Sequence, residues 1–381
     1  MGKRRVTIFL SAAEDSGDEH ASNLICALRE ACPDARLVGV GGEKMAAAGC
    51  ELEADLTQRA SMTSGPLLEL RYWIRTVRRL RRTIRQLRPD LHIPVDSPAL
   101  NWHLAAAAKD SGAKVFYYIA PQVWAWAPWR AKKLARLTDH VGCILPFEQP
   151  YLRHRRVHAT YVGHPLFDTL PGRPDPPADI AGAWANGSWR VALLAGSRPR
   201  EIRDHAPTFL ATADEIVRRW PQARCTFAAR TDSHARAIRE ACAGRDVDIV
   251  VGQTRRVLAE SHFALAVSGT ITLELAHFGV PMVIVYRVRR LDWDLVGRWF
   301  LRMPHLSLVN ILGGRRVVPE LMPWHGNRRK VIDMVLEVMD DLGWLLETRE
   351  ALLGVTAGLH AAGGQTAADN AARLALDLLR R

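Results

Sequence analysis

The sequence predicts an α/β protein built from two doubly wound, Rossmann-like domains that face a central cleft. Short apolar runs alternate with helical patterns in two successive series. Many of these runs end in glycine or small polar residues, which is typical of strands that deliver ligand-binding loops. The 381 residues also exceed one ordinary hydrophobic core, so two domains of common size are expected.

The two series set the expected domain boundaries. Residues 1–167 form the first domain. Residues 168–189 are rich in proline and small residues and have no steady period, so we interpret them as the linker. The second domain follows at 190–345. We expect helices in 346–381 to pack back on the first domain or on a partner subunit.

Composition narrows the class of partner. The 52 Lys and Arg against 40 Asp and Glu give a net charge of +12, which favours nucleic acid, an anionic membrane surface or an acidic substrate. The six cysteines show no CxxC or metal-ligand spacing, as in a reduced, cytoplasmic protein. The amino-terminal apolar stretch VTIFL is too short for a signal peptide. No apolar run approaches the roughly 18 to 20 residues of a membrane span, so membrane contact would be peripheral.

The first predicted strand, Arg5–Ser11, leads into a small, polar loop and a helix from about Glu19 to Ala31. We expect this loop to present polar side chains at the ligand-binding edge of the sheet. A second strand, Arg36–Val40, runs into Gly41-Gly42, which serves either backbone geometry or ligand contact. The side chains delivered by the first loop are Glu14, Ser16 and Asp18.

A basic amphipathic helix is predicted between Arg71 and Arg88, where eight arginines surround an apolar stripe. The stripe is either the buried side of a surface helix or part of a face that anionic headgroups attract. A second basic and aromatic segment occupies residues 291–303. The stripe residues are Trp73, Val77, Leu80, Ile84 and Leu87.

Asp96 follows the predicted strand Leu91–Val95 and precedes Ser-Pro. It is either a helix cap or a carboxylate at the ligand-binding edge. The next strand, Lys114–Ile119, is followed by three tryptophans that line a pocket or serve packing. These are Trp124, Trp126 and Trp129.

The second series carries two glycine-containing turns. Strand Arg190–Leu194 runs into Gly196-Ser197-Arg198, where the arginine could contact a phosphate through two prongs. Strand Phe263–Val267 ends in Ser268-Gly269-Thr270 at a helix start, where free N–H groups suit a phosphate. Glu274, one turn further on, could reach sugar hydroxyls. The alternative is that this tripeptide only caps a crossover helix.

Nine segments that occur in order from residue 12 to 321 form a specific combination: AAEDSGDEHASNL, GVGGEKMAAAGCE, DSPALN, YYIAPQVWAW, ILPFE, YVGHPLFD, LLAGSRPREI, SGTITLELAHFGVPMVIVYR and SLVNILGGRRVVPEL. Together they resemble the lipid-A-disaccharide synthase family of GT-B glycosyltransferases. The resemblance implies inverting transfer of 2,3-diacylglucosamine from UDP to 2,3-diacylglucosamine 1-phosphate (lipid X). It also implies no metal or other cofactor, a homodimer, and peripheral association with the cytoplasmic face of the inner membrane.

The resemblance assigns roles by position. Asp96 matches the general base. Glu14, Ser16 and Asp18 match the loop facing the acceptor. Gly196, Ser197 and Arg198 match the loop that stabilises the departing diphosphate, assisted by Ser268, Gly269 and Thr270. Glu274 resembles the glutamate that holds ribose hydroxyls, and Asn310 matches a polar residue near UDP.

This chain departs from the family pattern at Ala13, Asp15, Ala99, Ala195 and Pro323. Asp15 adds a negative charge near an anionic acceptor, so acyl length and acceptor are where specificity could differ. Two other functions stay open. Another GT-B enzyme, using a different lipid acceptor or epimerising a nucleotide sugar, would share the UDP half. A nucleic-acid-binding protein would fit the charge, although the sequence carries no recognition motif of the usual modules.

Overall fold

The computed structural model describes residues 5–56, 66–175, 177–288 and 304–380, with the backbone alone for residues 66–70, Trp126 and Ala362. The chain forms two compact units. The first comprises Met1–Thr169 and Leu359–Arg381, and the second Leu170–Gly358. The predicted basic segment at 291–303 lies outside the described residues.

The first unit contains a seven-stranded sheet in the order β3-β2-β1-β4-β5-β6-β7. Every pairing between these strands is parallel. The strands are β1 (Thr7–Ser11), β2 (Arg36–Gly41), β3 (Glu51–Asp55), β4 (Leu91–Pro94), β5 (Lys114–Tyr118), β6 (His140–Cys143) and β7 (Ala159–Tyr161).

Helices cover both faces of this sheet, which explains why inner strands such as β1 and β5 are largely apolar and buried, whereas the edge strand β3 is acidic and partly exposed. Alternate residues of β1 and β5 enter two cores: Phe9 and Tyr117 in one, Ile8 and Tyr118 in the other. The helices are α1 (Asp15–Ala31), α2 (Glu43–Ala47), α3 (Pro66–Leu87), α4 (Pro98–Asp110), α5 (Val123–Trp126), α6 (Ala131–Leu137), α7 (Glu148–His154) and α8 (Leu166–Thr169).

The second unit contains a six-stranded sheet in the order β10-β9-β8-β11-β12-β13, again with parallel pairings. Its core includes Trp189, Phe209, Phe227 and Phe263. The strands are β8 (Arg190–Leu194), β9 (Arg224–Ala229), β10 (Ile249–Val251), β11 (Phe263–Val267), β12 (Met282–Arg287) and β13 (Glu320–Trp324).

The helices of the second unit alternate with its strands and continue to Ala357. A last helix, α17 (Ala367–Arg380), belongs to the first unit and packs against α1. Among described residues, no helix is long and apolar enough to cross a membrane. The remaining helices are α9 (Ile180–Asn186), α10 (Pro199–Arg219), α11 (Asp232–Ala241), α12 (Thr254–Glu260), α13 (Ile271–His277), α14 (Leu308–Gly313), α15 (Arg328–Asp340) and α16 (Leu342–Ala357).

Each sheet has one switch point, where neighbouring strands send their crossovers in opposite directions. It lies between β1 and β4 in the first sheet and between β8 and β11 in the second. Ligands of open parallel sheets bind at the carboxyl ends of such strands. The predicted polar loops after these four strands therefore occupy the expected positions.

Some local predictions need correction. Helix α1 begins at Asp15 and not near Glu19, so Ser16 and Asp18 lie in its first turn, where acidic side chains favour the helix dipole. Strand β13 was not predicted. The segment 168–189 contains α9, whose Ile180 and Ala183 are buried in the core of the second unit. We retain the predicted division into domains at 1–167 and 190–345 as a proposal.

The basic amphipathic helix is confirmed as α3. Its Val77, Leu80 and Ile84 are buried in the core of the first unit that contains Phe9 and Tyr117. Two large apolar side chains, Tyr72 and Ile74, are exposed at 40% and 39%. The stripe is therefore the buried side of a surface helix, and the arginine-rich remainder faces outward.

Candidate active site

Asp96 lies at the switch point of the first sheet, immediately after the isolated bridge between Val95 and Tyr118. Its backbone N–H donates to the carbonyl of Tyr118 at 3.2 Å. Asp96 and Ser97 both have left-handed backbone conformations, with φ of 49° and 45°. Such conformations cost on the order of 1–3 kcal/mol each in residues other than glycine and concentrate at functional sites. The Asp96 turn is therefore held by its surroundings.

The environment of the Asp96 carboxyl makes it a better base than an exposed aspartate. Burial raises its pKa, and the nearby Glu14 carboxylate raises the pKa further. A hydrogen bond from the Ser97 backbone acts in the opposite direction. The net shift of the pKa is upward, which makes the carboxylate more basic than an exposed aspartate.

The three residues predicted to face an acceptor have different environments. Glu14 and Ser16 are exposed at the start of α1. Asp18 is buried, and its carboxylate accepts the N–H groups of Gly42, Met45 and Lys44 at 2.7, 3.2 and 3.0 Å. Asp18 therefore anchors the glycine turn after β2, and Glu14 and Ser16 remain open to a ligand.

Asp15, the added acidic residue of this loop, is ion-paired. The Nζ of Lys44 lies 3.4 Å from its Oδ1 and 2.9 Å from Oε2 of Glu19. The extra negative charge is thus partly balanced by a lysine from α2. An anionic acceptor would meet less repulsion here than the sequence implies.

The tryptophan-rich segment divides between packing and exposure. Trp124 is buried, donates from Nε1 to Oε1 of Glu148 at 2.9 Å, and contacts Phe147 edge-on at 4.9 Å between ring centroids. Trp129 is 59% exposed. The side chain of Trp126 is outside the described residues. The first tryptophan therefore packs in the core.

In the second unit, the Gly196-Ser197-Arg198 turn follows β8. Gly196 has φ of 114°, and an added Cβ would lie 2.5 Å from Cβ of Glu201, so only glycine fits. The Glu201 carboxylate accepts the N–H groups of Ser197 and Arg198 at 3.0 and 3.3 Å. These two bonds to one carboxylate give the turn a defined shape at the start of α10.

The Arg198 side chain is open to a ligand. It is 74% exposed, and its Nη1 lies 3.4 Å from Oε1 of Glu201, which is a loose contact. Beside it is a cavity of about 330 Å³ whose lining includes Arg200 and Arg287 together with Asp204. The carboxylate of Asp204 lies 3.8 Å from Nε of Arg200 and 3.3 Å from Nη1 of Arg287. Three arginines and two carboxylates, Glu201 and Asp204, thus line a cavity beside the turn that follows β8.

The Ser268-Gly269-Thr270 turn follows β11, the neighbour of β8. Gly269 and Thr270 are exposed, and an added Cβ at Gly269 would meet open space. Glu274 in α13 is half-buried, with its Oε2 3.3 Å from Nε of Arg255. Burial raises the pKa of Glu274, and Arg255 opposes that shift. The turn and Glu274 share the edge of the sheet with Arg198.

Asn310 is buried, and its amide is fully hydrogen-bonded within the protein. Nδ2 donates to the carbonyl of Val318 and to Oε2 of Glu320, at 2.9 and 3.0 Å. Oδ1 accepts the N–H groups of Val317 and Val318, at 2.8 and 3.0 Å. Glu320 also accepts the N–H groups of Leu306 and Ser307. The Asn310 amide therefore ties the loop before β13 to α14.

Replacing Asn310 by Ala should destabilise the second unit. Four hydrogen bonds are lost and buried backbone groups are left unpaired, at a cost of on the order of 3 kcal/mol. We expect the melting temperature to fall by about 5–10 °C. Calorimetry would measure this, with the exposed Asn186→Ala as the matched control. Equal melting temperatures for the two variants would contradict this account of Asn310.

Sequence reasoning missed several residues around the site. Glu201 and Glu148 are carboxylates that hold turns. Asn101 is a buried amide in α4, five residues after Asp96, and contacts its backbone. Asn101 lies in the segment DSPALN, which was singled out from the sequence, but a polar residue near the start of a helix does not reveal its partners.

The chain matches a family model described as Lipid-A-disaccharide synthetase over residues 8–339. The lipid-A-disaccharide synthase of Syntrophus aciditrophicus is 32% identical over 380 residues, covering 98% of each chain. That of Geobacter sulfurreducens is 34% identical over 365 residues, covering 93% of this chain and 94% of the relative. These full-length similarities show the family.

Solved structures show the same fold at low identity. A UDP-GlcNAc 2-epimerase from Neisseria meningitidis, bound to UDP-GlcNAc, has a TM-score of 0.58 at 12% identity and covers 99% of this chain and 100% of its own. A glycosyltransferase from Rickettsia africae has a TM-score of 0.52 at 10% identity, with 99% and 98% covered. Together with the two parallel sheets, these structures confirm the predicted GT-B fold. The chain belongs to the lipid-A-disaccharide synthase family and is a glycosyltransferase of lipid A biosynthesis.

Proposed function

We propose that this enzyme transfers 2,3-diacylglucosamine from its UDP derivative to 2,3-diacylglucosamine 1-phosphate (lipid X). The products are the β-1,6-linked lipid A disaccharide 1-phosphate and UDP. The observation that carries the proposal is the Asp96 carboxyl, half-buried with a raised pKa at the switch point of the first sheet. A direct displacement by a hydroxyl needs a general base of this kind.

Asp96 takes the proton of the acceptor 6-hydroxyl while that oxygen forms a bond to the donor anomeric carbon. The bond between this carbon and the diphosphate oxygen breaks, and UDP leaves with the electron pair. Attack from the face opposite the leaving group inverts the anomeric configuration. Exposed Glu14 and Ser16, on the neighbouring strand end, contact the acceptor, and Asp18 holds the glycine turn behind them.

The second unit binds the donor. Arg198 stabilises the charge that develops on the departing diphosphate, and the Gly196-Ser197 and Ser268-Gly269-Thr270 turns shape the site around it. Glu274 accepts hydrogen bonds from ribose hydroxyls. Asn310 acts through the loop that its amide holds in place. This assignment is supported by the exposure of Arg198 and by the arginine-lined cavity beside it.

We also propose that the enzyme associates peripherally with the cytoplasmic face of the inner membrane and works as a homodimer. Acylated, phosphorylated substrates reside in a membrane, and a basic amphipathic helix attracts anionic headgroups. The exposed Tyr72 and Ile74 of α3, next to Arg71 and Arg75, support this. Light scattering tests the dimer, and a strict monomer would refute it.

The decisive experiment supplies the purified enzyme with UDP-2,3-diacylglucosamine and lipid X. We expect UDP and a disaccharide phosphate whose anomeric proton coupling in NMR identifies the β configuration. An α product would contradict inversion. Donor consumption without acceptor would indicate an epimerase, and product with another lipid acceptor alone would indicate a different GT-B specificity.

A further inference from the structure

We infer that Asn101 and Tyr117 are positioning residues. They orient the Asp96 carboxyl by donating hydrogen bonds to the backbone carbonyl of Asp96. This inference rests on the proposed function, in which Asp96 is the base. Neither side chain touches the carboxyl itself through a hydrogen bond in the described structure. Both act on the turn that carries it.

The carbonyl of Asp96 accepts two hydrogen bonds. Nδ2 of Asn101 donates at 2.7 Å, from the first turns of α4. The hydroxyl of Tyr117 donates at 2.8 Å, from β5. Both donors are buried, so water does not compete for the carbonyl. Two independent elements thus fix one peptide oxygen.

Asn101 also bridges the switch point. Its Nδ2 lies 3.2 Å from the carbonyl of Val95, after β4, and 3.3 Å from that of Ser11, at the end of β1. These carbonyls lie where the two strands diverge. A single amide donor therefore links the ends of both strands to the Asp96 turn.

A buried chain of hydrogen bonds orients this amide. The nitrogen of Asn101 must face the carbonyls, since only it can donate to them. Its Oδ1 therefore accepts from the hydroxyl of Ser11 at 2.6 Å. Ser11 in turn accepts from Nε2 of His92 at 2.9 Å. Burial lowers the pKa of His92 to about 3, so the ring is neutral. Because Ser11 donates its only hydroxyl hydrogen to Asn101, its contact with His92 requires the ring proton to be on Nε2.

The left-handed backbone of Asp96 and Ser97 explains why the hydrogen bonds to the Asp96 carbonyl are needed to hold the turn. Residues other than glycine leave this conformation readily unless neighbouring groups hold it. Release of the carbonyl would let the turn relax, move the carboxyl and expose it to water. The carboxyl would then be misoriented towards the acceptor. It would also be less basic, because burial is the largest cause of its raised pKa.

The test is Tyr117→Phe, which removes one hydroxyl and keeps the ring in the core. We expect kcat to fall about tenfold. We also expect the acid limb of the kcat profile to move to lower pH, as the Asp96 pKa drops. Two titratable neighbours interact with Asp96 among the described residues. Glu14 is unchanged in this variant, and the hydroxyl of Tyr117 is neutral because burial raises its pKa. A loss of folded enzyme would lower kcat and leave the limb where it was.

The matched control is Tyr118→Phe. Tyr118 is the next residue of β5, is equally buried, and enters the other core. We expect its kcat to stay within about twofold of the wild type. Ser11→Ala provides a second variant with little change in volume. It frees the Asn101 amide to turn, and we expect the same direction of change as in Tyr117→Phe.

The outcomes separate this inference from the proposed function. If Asp96→Asn retains full activity, Asp96 is not the base and the proposed function fails at that step. If Asp96→Asn is inactive while Tyr117→Phe and Ser11→Ala match the wild type in kcat and acid limb, the positioning inference alone is overturned.

Discussion

Replacing Asp96 by Asn is expected to lower kcat by about 100-fold to 10,000-fold, the usual contribution of a general base. The amide has the same size as the carboxyl but cannot take the proton of the acceptor hydroxyl. Asn also tolerates the left-handed backbone that this position adopts, so the variant should fold. Single-turnover assays with the donor and lipid X would measure the chemical step.

The matched control for this change is Asp110→Asn. Asp110 is the last residue of α4 and pairs with Arg85 at 3.3 Å on the surface. We expect it to retain wild-type activity. Near-wild-type turnover by Asp96→Asn, with the donor and acceptor bound normally, would remove Asp96 from the role of base.

The wild type should lose activity towards acid pH. The base works when deprotonated, so kcat falls as pH drops through the Asp96 pKa. Because burial raises that pKa, the loss begins at a higher pH than an ordinary aspartate would give. Asp96→Asn should lack this limb in its residual activity.

Replacing Arg198 by Ala should lower kcat by about 100-fold to 1,000-fold, the effect typical of losing one preorganised group that stabilises developing charge. The Arg198 side chain is largely exposed and makes only a loose contact with Glu201, so its loss should leave the fold intact. UDP should also bind more weakly, since a charge-assisted contact to the diphosphate disappears. Isothermal titration calorimetry with UDP would check this.

Arg218→Ala is the control on the same helix. Arg218 is 73% exposed near the other end of α10 and pairs with Glu215. We expect unchanged turnover and UDP affinity. If Arg198→Ala behaves like Arg218→Ala, the diphosphate is held by other groups, and Arg200 and Arg287 in the neighbouring cavity become the next residues to replace.

Much of the fold was predictable because it depends on local patterns. The apolar run Phe263–Val267 was predicted with the bounds that β11 has, and most other strands were within a few residues. Helix α9 and strands β3 and β13 were missed, since all three are short and contain few periodic apolar residues. Their structure is stabilised by packing on cores formed by distant segments.

Sequence by itself determined the family, the two-unit α/β architecture and the positions of Asp96, Arg198 and Glu274 at strand ends or helix starts. Only the tertiary structure decided which polar side chains are exposed to a ligand and which are hydrogen-bonded within the protein. The carboxylate of Asp18 accepts hydrogen bonds from N–H groups 24 to 27 residues away, and the carbonyl of Asp96 accepts one from the hydroxyl of Tyr117, 21 residues further on. Such partners meet only after the strands pair. Hydrogen-bond satisfaction in a buried site is therefore a property of the folded chain, which local sequence does not encode.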